Sequence, residues 1–67
     1  MISKIIYANG WRAIALCQDD PNRGGIMLEV LAIRREENTL PDWASDRRYD
    51  SVENAIGAAK EWLYAQD

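Results

Sequence analysis

The sequence has a single cysteine, no histidine and only two prolines among its 67 residues. Each scarcity excludes something. Cys17 alone closes no intrachain disulfide. One thiol without an imidazole builds no structural zinc site. The absent histidine removes the side chain that most often moves protons near neutral pH, which argues against an enzyme. No apolar run approaches the ~20 residues of a membrane span, and Met1-Ile2-Ser3-Lys4 lacks the charged lead and long apolar core of a secretory leader. Basic charge is also short. Eight Lys and Arg stand against eleven Asp and Glu, a net charge of −3, whereas a generic nucleic-acid binder leans the other way. The lone thiol suits a reducing, cytoplasmic setting.

What is present is ordinary for a globular chain: 48% hydrophobic and 28% charged residues, without repeats or low-complexity runs. The length allows one domain, residues 1–67. Such a chain buries only about 60% of its unfolded surface, so a fold with neither disulfide nor metal depends on good packing or on self-association.

The first half reads as strands. Lys4 to Ala8 is β-branched and aromatic, Asn9-Gly10 follows, and Trp11 to Cys17 is again largely apolar. Asn-Gly between two such runs signals a two-residue hairpin, because both residues tolerate positive φ. The rival is a helical turn over Trp11 to Cys17, since alanine and leucine favour helices; the hairpin is preferred. Gln18 to Gly25 is a loop. Ile26 to Ile33 is apolar at nearly every position; it reads as a third strand, with a buried helix as the alternative. Arg35 to Thr39 is polar. Pro41 forbids a central strand there, and Arg47-Arg48-Tyr49 has the character of a short fourth strand at an edge. The closing helix is the firmest element. Ser51 is a good N-cap, with Asp50 and Glu53 as an alternative capping box, and Val52, Ala55, Ile56, Ala59, Trp62 and Leu63 form one apolar stripe. Gly57 reads as tolerated on the outer face. The expected fold is α+β: a three-stranded antiparallel sheet, with room for a fourth strand, packed on one C-terminal helix.

Hairpin arithmetic divides the sheet into faces. With Asn9-Gly10 at the turn, Ala8 opposes Trp11, Ile6 opposes Ala13, and Ile5 opposes Ile14. One face then carries Ile6, Trp11, Ala13, Ala15 and Cys17. Its small residues admit a helix, so the helix belongs there. Strand three adds Leu28, Val30 and Ala32 or else Met27, Leu31 and Ile33; keeping Glu29 out of the core favours the first set. The other face carries Ile5, Tyr7, Arg12, Ile14, Leu16, Leu31 and Ile33. One helix covers one face, and an apolar patch of that kind usually marks an interface, here with a second copy or another protein. The bland alternative is a solvated face with Trp43 and the long loop folded across it.

Chemistry is sparse. Cys17 lacks a base or positive field and reads as a buried structural residue. Asp19-Asp20-Pro21-Asn22 lacks the alternating acids and closing glutamate of a calcium loop. Gly24-Gly25 has no following Gly-Lys-Ser and is no phosphate loop. Glu36-Glu37 point apart on an extended chain, without the cleft a paired-carboxylate site needs. No catalytic, metal or cofactor residue is assigned. Arg12, Arg34, Arg35, Arg47 and Arg48, with Tyr7 and Trp11 as stacking platforms, form the alternative reading, a single-stranded nucleic-acid surface. The acids interleaved with them favour a mixed-charge surface instead.

The stretch from Tyr49 to Leu63 resembles the ending of many small bacterial and phage strand-strand-strand-helix proteins, which close with an aromatic, a Ser or Thr cap, an acid, an Ala pair and an apolar helix end. It is similar there to HicB-type antitoxins, and Pro41-Asp42-Trp43 distantly resembles the Pro-Asp-Leu of their sheet, with Trp43 in place of the leucine. The resemblance covers about a quarter of the chain. The Pro-Gly-Cys stretch and a DNA-binding tail are missing. It implies the fold, a bacterial or phage setting and a partner-binding role, and assigns no functional residue.

Overall fold

The computed structural model describes residues 1–34, 40 and 42–66, with the side chain of Arg34 left aside. Four strands form one antiparallel sheet in the order β1-β2-β3-β4: β1 (Ile2–Ala8), β2 (Trp11–Asp19), β3 (Ile26–Arg34) and β4 (Trp43–Ala44), followed by the helix α1 (Val52–Tyr64). The α+β expectation holds.

The hairpin register is the one the turn dictates: Ala8 opposes Trp11, Ile6 opposes Ala13, and Ile5 opposes Ile14. Asn9 and Gly10 both have positive φ, 55° and 78°, the backbone that a right-handed twist requires of a two-residue turn. Alternation does the rest. Ile6, Ala8, Trp11, Ala13, Ala15 and Cys17 are buried, and β3 adds Leu28, Val30 and Ala32, as the position of Glu29 required. Against them the helix buries Ala55, Ala59 and Leu63. Small residues are buried on both layers, Ala13, Ala15 and Ala32 on the sheet and Ala55 and Ala59 on the helix, which lets the two approach closely. Ser51 caps the helix, its Oγ accepting from the Asn54 N–H at 3.2 Å. Gly57 is exposed, with open space where a Cβ would stand.

The fourth strand lies earlier than the sequence suggested. Trp43 and Ala44 pair with Val30 and Glu29, whereas Tyr49 contributes one isolated bridge to Ile26 and Arg47-Arg48 add no ladder. The reason lies along the edge of β3. Leu40 donates to the Ala32 carbonyl and Ser45 to the Leu28 carbonyl, so the returning chain meets β3 at intervals and pairs regularly over two residues. Trp43, opposite Val30, falls on the helix side, and its ring stacks on Trp62 with centroids 5.0 Å apart and planes 7° apart. The alternative in which Trp43 folds across the open face therefore does not hold for that residue. Pro41, Arg35 and Glu36-Glu37 lie outside the described residues.

Candidate interaction surface

With the helix on one side, the opposite face of the sheet carries the side chains of the other parity. The register sets them in rows. Ile5, Ile14 and Leu31 lie side by side across β1, β2 and β3; Tyr7, Arg12 and Ile33 form the next row, and Ser3, Leu16 and Glu29 the row on the other flank. Ile5 is 64% exposed, Tyr7 71%, and Ile14 and Ile33 42% each. Leu16 and Leu31 are half-buried by their neighbours. All seven residues expected on this face are brought together on it. Leu40 and Asp42 border a shallow groove beside Ile14, Leu31 and Ile33.

The β1 edge is the second open feature. A two-residue turn makes Ala8 and Trp11 a hydrogen-bonded pair, so pairing alternates and Ser3, Ile5 and Tyr7 turn their backbone N–H and C=O groups outward. Among the described residues no strand lies beyond β1. Along the other edge lie Leu40 and residues 42–49.

The arginines do not gather into a stripe among the described residues. Arg12 lies on the open face, Arg34 occupies a register position opposite Trp11, and Arg47 is exposed in the loop after β4. Arg48 is engaged at the edge: its Nε donates to Asp20 Oδ2 at 2.8 Å. Arg35 lies outside the described residues. Trp11, 4% exposed, belongs to the core and offers no stacking surface, a correction that follows from its parity with Ile6 and Ala13.

Two residues that looked like turn formers carry long-range contacts. Asp20 is 8% exposed, and its Oδ1 accepts from the Asn22 and Arg23 N–H groups at 3.0 and 3.2 Å. The Arg48 hydrogen bond, followed by that of Asn22, holds its carboxyl below the usual carboxylate range. Gly25, at φ 76°, lets this loop lie against the chain after β4, since a Cβ there would stand 3.1 Å from Arg48 Cβ and from the Tyr49 carbonyl oxygen. Asn9 Nδ2 donates to the carbonyls of Leu63, at 3.0 Å, and Gln66, tying the hairpin turn to the helix C-terminus. That end has no basic residue in its last turn, so an amide supplies the donors its carbonyls need. A buried aspartate beside Pro-Asn and a doubly used Asn-Gly leave no sequence signal beyond turn chemistry.

Cys17 is buried, and desolvation raises its thiol pKa, which opposes thiolate chemistry. Among the described residues no group of three acidic or cysteine side chains is placed to hold a metal. No helix is long and apolar enough to cross a membrane. No protein-family model, curated protein or solved structure matches the chain.

Proposed function

We propose that this protein is a non-enzymatic interaction module whose working surface is the uncovered sheet face, engaging a second copy or another protein. The observation that carries the reading is the exposure of Ile5, Tyr7, Ile14 and Ile33 on one contiguous face, over a core whose other side is sealed by the helix. Four such residues, with Leu31 in the same row as Ile5 and Ile14 and Leu16 in the row beside it, make a patch of several hundred Å², the size at which an apolar surface on a small protein tends to have a partner. The lack of histidine and the buried Cys17 favour binding over catalysis. Arg12 flanked by Tyr7 and Ile33 is too little positive charge to make nucleic acid the better partner.

A photo-crosslinking residue placed at Ile14, with a second at Gly57 on the outer helix face as control, tests the surface in growing cells. Protein adducts at position 14 and none at 57 are the expected result. Adducts at 57 with none at 14 would sink the reading. The antitoxin-like or phage-regulator role is a special case of the same module in a cytoplasmic, bacterial setting. It expects a toxin or a phage early gene beside the gene for this chain.

A further inference from the structure

We infer that the occupant of the open sheet face is a second copy of this chain, related by a two-fold axis that lies between the two faces and runs across the strands. The inference rests on the open face being an interaction surface and adds the partner and its geometry.

The charges on the face carry the argument. Arg12 sits on β2, two residues to one side of the Ile5–Ile14–Leu31 row. Glu29 sits on β3, two residues to the other side. On ideal strand spacings the two are about 14 Å apart along the strands and about 4.8 Å apart across them, too far to meet within one sheet. Among the described residues the ion pair present is Arg48 with Asp20, so both charges stand open on an otherwise largely apolar patch.

Two identical sheets that meet face to face need a two-fold axis in the plane between them, because rotation about the sheet normal leaves both faces pointing the same way. An axis along the strands returns each row onto itself and sets Arg12 over the row of the partner's Arg12, like charge towards like. An axis across the strands, passing between Ile14 and Leu31, exchanges the flanking rows. Ile14 then meets the partner's Ile14, Leu31 meets the partner's Leu31, and Arg12 lies over the partner's Glu29, with the reciprocal pair at the other end. Such an interface is isologous and closes at two copies.

The offset of Arg12 from Glu29 by one strand fixes the tilt. It turns the axis about 20° from the perpendicular to the strands and crosses the two sheets at about −40°, near the roughly −30° of aligned face-to-face sheets and in the same sense. A patch of several hundred Å² on each copy buries on the order of 1,000 Å² in total, the lower end of specific interfaces, which suits association in the micromolar range. It also covers a core that neither disulfide nor metal reinforces.

Charge reversal tests the arrangement. Sedimentation equilibrium at low salt is run on wild type, R12E, E29R, the R12E/E29R double variant and I14K, with circular dichroism to show that each is folded. Wild type should reach twice the 7.7 kDa chain mass. Each single reversal should weaken association by about tenfold or more by setting like charges together at both ends, and the double reversal should restore most of it. Asp42 lies beside the same groove as Arg12 and is unchanged in every variant, so restoration is read against the single variants. A dimer that I14K dissociates but the double reversal does not restore would overturn this two-fold geometry and leave the open face standing as the interface. A dimer that no variant weakens would place the contact away from the open face and overturn the second-copy inference, leaving the Ile14 crosslink to judge the surface. Monomeric wild type at several hundred micromolar would overturn the second-copy inference, again leaving the Ile14 crosslink to judge the surface.

Discussion

Asn9 offers a sharp test of how the two layers are joined, because one side chain serves the hairpin turn and the helix end. Its backbone takes φ 55°, and its amide donates to Leu63 and Gln66. N9G keeps the positive φ and removes both donations. A typical net hydrogen bond contributes about 1 kcal/mol, so the loss is about 1–2 kcal/mol; at about 4–8 °C per kcal/mol for a domain of this size, the melting temperature falls by roughly 5–15 °C. N9D should be worse near neutral pH. It tolerates the turn but replaces a donor with a carboxylate against the negative end of the helix dipole, where anions are unfavourable. Folding therefore raises the pKa of the introduced carboxyl. Protonation restores one donor, so the deficit of N9D relative to N9G should shrink as pH falls through that raised value. Thermal melts of the three proteins from neutral pH down to the carboxylate range measure this. If N9G and N9D both melt within a degree of wild type, or if N9D is no worse than N9G at neutral pH, the turn-to-helix tie contributes nothing and the reasoning fails.

The remaining expectations concern the core, the helix and the loop. Ala59 is fully buried against the sheet, so A59D sets an unpaired charge there and costs several kcal/mol, a large share of the stability of so small a domain; a variant with an unchanged denaturant midpoint would refute the helix phase. G57A fills open space on an exposed helix position and should stabilise by up to about 1 kcal/mol, seen as a raised denaturant midpoint. Asp20 has a depressed pKa, so its stabilisation is complete above the ordinary carboxylate range and is lost as pH falls through its folded-state value. The stability gap between wild type and D20N should therefore be open near neutral pH and close in acid; a gap constant with pH would mean that the Arg48 pair contributes nothing.

Much of this fold was legible because short-range physics determines it. Asn-Gly sets a two-residue turn, and strand alternation then assigns every side chain of β1 and β2 to a face without further information. Glu29 carries the same argument onto β3, because a lone carboxylate does not enter an apolar core. Ser51 and the apolar stripe from Val52 to Leu63 place the helix through capping and the 3.6-residue period. The open face and its seven residues follow from the same parity.

Tertiary structure decided what joins residues far apart in the chain. Trp43 stacks on Trp62, Arg48 reaches back to Asp20, and Asn9 reaches forward to Leu63 and Gln66. Each depends on where a loop closes, and closure varies so weakly with loop length that local composition leaves it open. The fourth strand belongs to this class. Arg47-Arg48-Tyr49 has strand character by itself, but the edge of β3 around Val30 is already paired with Trp43 and Ala44. Propensity speaks for a segment alone, whereas a ladder forms only where another strand has unpaired N–H and C=O groups within reach.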